Sequence, residues 1–233
     1  MSNEWIWLLF ALTNFTLMTV SYKLFGKTGL IVWIATGTVL ANIQVLKLVE
    51  LFGLTATLGN ITFGSIFLAT DTLSEKYGLK VAKRSVFIGF FTLLSALIIM
   101  QFAVWFHPAE GDEAQGALTF LFALNFSDFS FLRVAIASLT AYLISQLLDV
   151  HLFQKIRQRL PGRRTLVVRN MGSTAISQLI DSLIFVPVAF LGVLETGILV
   201  DIIITTYLIK LIVALLDTPF VYAMTRIKPF DSY

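Results

Sequence analysis

The sequence predicts an all-α integral membrane protein of about seven transmembrane helices. Of its 233 residues, 57% are hydrophobic and 13% are charged, whereas soluble domains carry about 25% charged residues. Seven apolar stretches are long enough to cross a bilayer as helices, since a span needs roughly 20 residues. They lie at about 5–25, 30–52, 54–74, 85–106, 130–153, 166–190 and 201–225. We expect residues 1–233 to form a single transmembrane domain.

Turn-forming residues separate these helices in order along the chain. Gly26 and Gly29 lie between the first and second stretches, and Gly53 marks a tight turn between the second and third. Glycine and proline favour turns over helix interiors. The longest loop runs from His107 to Asp128, and Pro161 interrupts another. The positions of these turn-forming residues therefore support seven separate helices.

The distribution of basic residues predicts the orientation. Loops on the cytoplasmic side of membrane proteins carry an excess of Lys and Arg. The region His107–Ser130 has neither, although it has four carboxylates. The basic residues fall in alternate loops, namely Lys23 and Lys27, then Lys76, Lys80, Lys83 and Arg84, then Lys155, Arg157, Arg159, Arg163 and Arg164, and finally Arg226 and Lys228. We expect a cytoplasmic C-terminus and a periplasmic N-terminus.

The composition also excludes several kinds of site. There is no cysteine, and the two histidines, His107 and His151, stand apart at predicted helix ends. Metal sites need clustered ligands of these types or of carboxylates, so we expect no metal and no cofactor. The net charge of +3 reflects membrane orientation, and we expect no nucleic-acid partner.

Two near-identical pentapeptides are the most informative feature of the chain. Ser-Gln-Leu-Leu-Asp at 145–149 and Ser-Gln-Leu-Ile-Asp at 177–181 lie in successive spans that run in opposite directions. A carboxylate within a spanning helix is costly and normally marks a functional pathway. Inverted repeats occur in transporters, where the substrate binds near the repeat interface. Close packing through small residues is the alternative explanation of the similarity.

Depth separates the two aspartates. At about 1.5 Å per residue, Asp181 lies roughly 18 Å beyond Arg169, whereas Asp149 lies only about 6 Å before Phe153. We therefore predict two levels rather than a hydrogen-bonded dyad, with Asp71 and Asp217 joining Asp149. An intramembrane aspartyl protease would need its two carboxyl groups about 3 Å apart. The protein is accordingly not expected to be an enzyme.

Each polar residue also has a structural alternative. Asp71 and Glu75 would then be solvated charges at a helix end. Gln146 and Gln178 would be hydrogen-bonding links between helices. Asp181 and Lys210 would form a structural buried pair.

Ordered motifs resemble those of a known family. They are Asn42-Ile-Gln-Val-Leu-Lys47, Phe67-Leu-Ala-Thr-Asp71 with Ser74-Glu-Lys-Tyr-Gly78, Gln146-Leu-Leu-Asp-Val150, Arg169-Asn170 with Ser177-Gln-Leu-Ile-Asp181, and Lys210 with Asp217-Thr-Pro219. The chain resembles YhhQ-type queuosine precursor transporters, formerly grouped as vitamin uptake transporters. The resemblance covers about 30–225, and the helix at about 5–25 looks like an addition. The other six helices are similar in layout to the substrate-binding component of energy-coupling-factor transporters.

The resemblance implies uptake of 7-deazaguanines across the bacterial inner membrane, chiefly 7-cyano-7-deazaguanine or its 7-aminomethyl relative. We assign the base to Asp181, because a carboxylate can accept paired N–H groups bidentately. Amides serve the ring acceptors, and Lys210 balances Asp181 in the empty state. The predicted substrate-binding residues are Asn42, Gln44, Gln146, Asn170, Gln178, Asp181 and Lys210. The predicted gate or coupling residues are Lys47, Asp71, Glu75, Asp149 and Asp217.

A second hypothesis is a substrate-binding subunit that needs a separate ATPase. The chain has no Walker motif, so any motor would be another polypeptide. The sequence leaves the energy coupling, the preferred deazaguanine and the number of subunits open, a homodimer being one arrangement.

Overall fold

The computed structural model describes residues 2–123, 131–193 and 195–230, and this part of the chain is mostly helical. Five helices are long and apolar enough to cross a membrane, namely α1, α3, α5, α6 and α7. The protein is therefore a multi-pass membrane protein. The elements are α1 (Asn3–Gln44), β1 (Leu48–Leu51), β2 (Leu54–Thr57), α2 (Asn60–Tyr77), α3 (Leu79–Trp105), α4 (Ala114–Phe122), α5 (Phe131–Arg159), a 3₁₀ turn (Arg163–Thr165), α6 (Leu166–Phe190) and α7 (Thr196–Arg226).

Helix α1 folds back on itself at Gly26. This glycine has φ 53° and ψ −135°, a conformation that side chains disfavour. The Ser21 hydroxyl donates to the Gly29 carbonyl at 3.2 Å, although eight residues of straight helix would separate them by about 12 Å. The arms 3–25 and 27–44 therefore run in opposite directions, as the first two predicted spans require. We call the end of the bundle at this reversal the Gly26 end.

A β-hairpin replaces helix between the second and third predicted spans. The second span ends at Gln44 rather than at 52, and the third begins at Asn60 rather than at 54. Leu51 pairs with Leu54 across the turn, where Phe52 and Gly53 both have positive φ. Two such residues form the turn that suits a hairpin. The fold is thus mostly α-helical, as predicted, with one short hairpin between helices. We call this end of the bundle the hairpin end.

Helix α2 is the third predicted span, and other helices enclose it. Fourteen of its 18 residues are buried, and it packs against α1, α3, α5 and α7. A Cβ atom on Gly64 would lie 2.3 Å from a methyl group of Val213, so this glycine permits the close approach of α7. Because α2 is shielded in this way, it can carry polar side chains that a lipid-facing helix could not.

The predicted long loop contains a short helix, α4, which the sequence did not indicate. The end of that loop at Asp128 and the predicted start of the fifth span at Ser130 lie outside the described residues. Helices α5 and α6 then form the most extensive helix pair of the fold. Ser145 and Ser177 are fully buried in this pair, where small side chains let the two backbones approach.

Candidate functional site

The repeated pentapeptides cross-link α5 and α6. The Ser145 hydroxyl of the first repeat donates to Asp181 Oδ1 of the second at 3.0 Å. Reciprocally, the Ser177 hydroxyl of the second repeat donates to Asp149 Oδ1 of the first at 2.8 Å. The motifs are thus in antiparallel register, with each aspartate level with the other motif's serine. Asp149 and Asp181 bond to serines rather than to each other, and about 6 Å of helix separates their levels.

Asp181 faces a cavity towards the hairpin end and forms an ion pair there with Lys210 of α7. The Lys210 ammonium donates to Asp181 Oδ2. The Asp181 side chain is 17% exposed and the Lys210 side chain is 5% exposed. The pair is therefore largely withdrawn from solvent yet accessible from the cavity. Burying both charges is tolerable because each neutralises the other. We call this space the Asp181 cavity, and its volume of about 460 Å³ includes space that is open to solvent.

Polar and aromatic side chains from five elements line the Asp181 cavity. The polar ones are Thr57, Asn60, Ser138, Thr206, Asp181 and Lys210. The aromatic ones are Phe63, Phe185 and Phe190, and the last two meet edge to face with centroids 6.1 Å apart. An apolar wall with a few convergent polar groups is typical of a small-molecule site. Aromatic faces with a carboxylate suit a planar ring that carries N–H groups.

A second group of acidic residues lies towards the Gly26 end. Asp71, Asp149 and Asp217 are each at most 1% exposed, and the three interact electrostatically with one another. Asn170 donates its amide to Asp217 Oδ1 at 3.1 Å. We call Asp71, Asp149, Asp217 and Asn170 the carboxylate cluster. The salt bridges of the described residues leave all three aspartates without a cation.

Several oxygens of the carboxylate cluster lack a hydrogen-bond donor. Within the described chain, both oxygens of Asp71, Oδ2 of Asp149 and Oδ1 of Asn170 have no partner. The residues that the structure describes include no set of three His, Cys, Asp or Glu side chains that could hold a metal ion. Buried acceptors are normally satisfied, and exceptions point to function or to an unseen partner. What this cluster lacks is a donor or a positive charge.

The two glutamines of the repeats lie between the two sites. Gln146 accepts from the Thr70 hydroxyl at 3.1 Å, so it does link α5 to α2. Its Nε2 has no acceptor, however, and Gln178 Oε1 has no donor among the described atoms. Along the helix axes both residues lie within the interval that separates Asp149 from Asp181. One spare donor and one spare acceptor therefore stand between the Asp181 cavity and the carboxylate cluster.

The structure disperses the remaining predicted site residues. Asn42 donates to the Thr38 carbonyl of its own helix at 2.8 Å. Gln44 accepts from the Thr62 hydroxyl at 2.6 Å, and with Lys47 it lines a separate groove at the hairpin end. Of the seven predicted substrate-binding residues, only Asp181 and Lys210 line the Asp181 cavity, and Lys47 lies far from the other predicted gate residues.

Glu75 is paired rather than solvated. Arg169 donates to its two carboxylate oxygens at 2.7 and 3.0 Å, and Arg157 approaches it to 3.5 Å. Asp71, one turn earlier, is fully buried. The structural alternative, in which these two acids are solvated charges at a helix end, therefore does not hold. The ion pair with Arg169, itself only 1% exposed, holds α2 to α6 at the Gly26 end.

Most of the residues that line the Asp181 cavity are not among the predicted site residues. Phe185 follows Asp181 by four residues, and Thr206 precedes Lys210 by four. Positions four apart share one face of a helix, so this periodicity could have found both. Asn60 is the first residue of α2, and only the position of the hairpin brings it to the cavity.

Comparisons with known proteins agree with the resemblance. A family model described as "Putative vitamin uptake transporter" matches residues 57–224. A "Probable queuosine precursor transporter" of Bacillus subtilis (strain 168) is 48% identical over all of this chain and 99% of its own length. A "Queuosine precursor transporter" of Escherichia coli (strain K12) is 32% identical over 61% of this chain and 58% of its own length.

A "Probable queuosine precursor transporter" of Haemophilus influenzae is 30% identical over 60% of this chain and 54% of its own length. No solved structure matches the chain. The matching family model covers well over half of the residues, and the Bacillus relative spans the chain from end to end. The family is one of transporters and not of enzymes, as the sequence predicted. The chain therefore belongs to the vitamin uptake transporter family that includes these queuosine precursor transporters.

Proposed function

We propose that this protein imports a queuosine precursor across the inner membrane of a bacterium. The substrate is 7-cyano-7-deazaguanine or its 7-aminomethyl relative. The observation that carries the proposal is the Asp181–Lys210 ion pair opening onto a cavity with aromatic walls. The name of the full-length relative supports the same substrate class.

The Asp181 cavity offers the groups that such a base requires. The ring N–H and the adjacent amino group of the base form two parallel donors, and the Asp181 carboxylate accepts both. Lys210, released from the carboxylate, donates to the ring carbonyl oxygen. Phe185 or Phe63 stacks on the ring face, and Asn60 supplies an amide at the cavity wall. On binding, Asp181 exchanges Lys210 for the N–H groups of the base, and Lys210 exchanges Asp181 for the ring carbonyl oxygen. Neither charged side chain is then left without a hydrogen-bond partner.

The route from the cavity leads past the two glutamines to the carboxylate cluster. The spare donor of Gln146 and the spare acceptor of Gln178 suit a purine-like edge, which presents both acceptors and donors. The carboxylate cluster serves as the gate or coupling site, where a proton on one carboxyl group supplies the missing donor. The basic residues at the Gly26 end make that end cytoplasmic, so the Asp181 cavity lies on the periplasmic side.

Uptake of labelled 7-cyano-7-deazaguanine tests the proposal directly. The assay uses cells that cannot make the precursor and lack their own importer. We expect this chain to support uptake and Asp181→Asn to abolish it. Asp201→Asn is the matched control, because Asp201 is an exposed carboxylate of α7 outside the Asp181 cavity. Equal uptake by Asp181→Asn and the wild type would contradict the assignment.

Liposomes that contain only the purified chain test whether it acts alone. We expect exchange of labelled for unlabelled 7-cyano-7-deazaguanine without any ATPase subunit. Exchange that appears only after energy-coupling-factor subunits are added would support a binding subunit instead. A thermal-shift series with 7-cyano- and 7-aminomethyl-7-deazaguanine, queuine and guanine ranks the ligands in the same preparation.

A further inference from the structure

A groove at the Gly26 end, apart from the Asp181 cavity and the carboxylate cluster, combines three cations with an apolar floor. It lies between the second arm of α1 and the first turns of α3 and encloses about 650 Å³ of open space. Its lining residues are Lys27, Ile31, Lys80, Val81, Arg84 and Ile88, and we call it the basic groove. Neither the proposed substrate nor its route passes through it.

The basic groove is polar at one end and apolar at the other. On α3, Lys80, Arg84 and Ile88 follow one another at four-residue spacing, which places them in one stripe. On the facing arm of α1, Ile31 follows Lys27 by the same spacing. Each step carries the chain about 6 Å deeper into the bundle. The groove thus passes from cations to branched aliphatic side chains within one helical turn on each wall.

The charges of the basic groove are not balanced. No carboxylate lines it, and the salt bridges of the described residues all involve Glu75 or Asp181 instead. Lys80 and Arg84 are like charges at i, i+4, which destabilises a helix. Lys27 faces these two cations from the other wall of the groove. All three are exposed, and without an anion between them they repel one another.

Neighbouring lysines show the contrast. Lys76 donates to the carbonyls of Met224 and Ile227 at 3.2 and 2.6 Å. Lys23 lies 5.4 Å from the centre of the Phe230 ring. These two cations help to hold the C-terminal segment against the bundle. The cations of the basic groove have no such structural use among the contacts of the described residues.

We propose that the basic groove binds an anionic phospholipid. The headgroup phosphate contacts Arg84, Lys80 and Lys27, and an acyl chain lies along Ile31, Val81 and Ile88. Arginine matches phosphate oxygens bidentately, and basic pockets beside membrane helices attract anionic headgroups. The bound lipid neutralises the three cations and fixes α3 against the reversal of α1. This site is independent of the proposed transport function.

The test measures lipid binding to the purified full chain by native mass spectrometry and by thermal shift. Phosphatidylglycerol is compared with phosphatidylcholine of the same acyl chains, and inorganic phosphate is a third addition. We expect phosphatidylglycerol alone to bind tightly and to raise the melting temperature. The K27Q/K80Q/R84Q variant should lose about fivefold in affinity for each cation removed.

The matched control is R159Q/R163Q/R164Q, which removes three exposed cations from the same end of the bundle but not from the groove. We expect it to keep its preference for phosphatidylglycerol. Equal loss in the two triple variants would show a general attraction of the surface and overturn the site. An equal shift with inorganic phosphate would overturn the lipid assignment.

A second variant keeps the test decisive if the K27Q/K80Q/R84Q protein does not fold. Ile88→Trp leaves every charge in place and fills the apolar end of the groove. We expect it to retain transport of the labelled base while binding of phosphatidylglycerol falls. Undiminished binding by Ile88→Trp would contradict the acyl-chain position.

Discussion

The Asp181 cavity and the carboxylate cluster are built from two copies of one motif, yet their charges differ. The cavity holds an ion pair, whereas the cluster holds three acids and, among the salt bridges of the described residues, no cation. In both, an aspartate of one repeat accepts a hydrogen bond from the serine of the other. At the first site α7 contributes Lys210, and at the second it contributes Asp217. Seven residues, or about 10 Å of helix, separate these two side chains. The repeat therefore fixes where the aspartates lie, and a third helix decides what each can do.

The difference has an energetic consequence. The Asp181 cavity has a balanced charge pair, so removing one charge leaves the other buried without a partner, which is strongly destabilising. The carboxylate cluster has acids without a cation, so removing one charge relieves repulsion and desolvation. Isosteric Asp→Asn changes at the two sites should therefore affect stability with opposite signs.

The largest effect is expected for Asp181→Asn. Loss of the carboxylate leaves Lys210 unpaired and should lower the free energy of unfolding by about 3 kcal/mol. The melting temperature in detergent checks this, with Asp201→Asn as the exposed control. Adding Lys210→Gln should restore much of the stability without restoring binding of 7-cyano-7-deazaguanine. A double variant that binds the base normally would break the link between this pair and the substrate.

Asp71→Asn should have the opposite sign. The new amide can donate to the unpartnered Asp149 oxygen, and we expect stability to stay constant or to rise by about 1 kcal/mol. In liposomes, exchange of the labelled base should persist while accumulation driven by a proton gradient is lost. Destabilisation as large as that of Asp181→Asn would remove the contrast between the two sites. Gradient-driven accumulation at the wild-type level would contradict the coupling role.

The reciprocal serines allow a finer comparison. Ser145→Ala and Ser177→Ala each delete one hydrogen bond to a carboxylate, that of the partly buried Asp181 or of the buried Asp149. Each should cost about 1–2 kcal/mol of stability. Only Ser145→Ala should also weaken binding of the base, because Ser145 donates to Asp181 whereas Ser177 donates to Asp149. Equilibrium binding and melting curves measured on the same samples separate the two effects. Equal loss of affinity in both variants would show that the two sites act as one.

The smallest effect is expected at the aromatic wall of the Asp181 cavity. Phe185→Leu keeps an apolar side chain but removes the ring face, and we expect affinity to fall by about 1 kcal/mol, or roughly fivefold. Phe91→Leu is the control, because Phe91 is 69% exposed on α3 and does not line the cavity. Unchanged affinity in Phe185→Leu would show that Phe185 does not stack on the base and would leave Phe63 and Phe190 as the candidates.

Much of this architecture could be read from local patterns. The reversal at Gly26, the different depths of Asp149 and Asp181 and the ion pair of Asp181 with Lys210 follow from glycine placement, helical rise and the cost of buried charge. The hairpin could not be read in the same way, because an apolar run such as 48–57 suits a buried helix as well as a strand. The turn also places Phe52 at positive φ, where sequence patterns favour Asn, Asp or Gly.

The sequence by itself determined that this is a multi-pass membrane protein with acids at two depths, because hydropathy and helical spacing are local properties of the chain. Its ordered motifs also carried the resemblance to a transporter family. Only the tertiary structure decided which residues share a site. Asn42, Gln44 and Lys47 lie outside the Asp181 cavity, while Asn60 lines it. Their positions depend on how the hairpin sets the start of α2. Contacts between helices also decided that Lys210 faces one aspartate and Asp217 another, since spacing along one helix does not specify its neighbour.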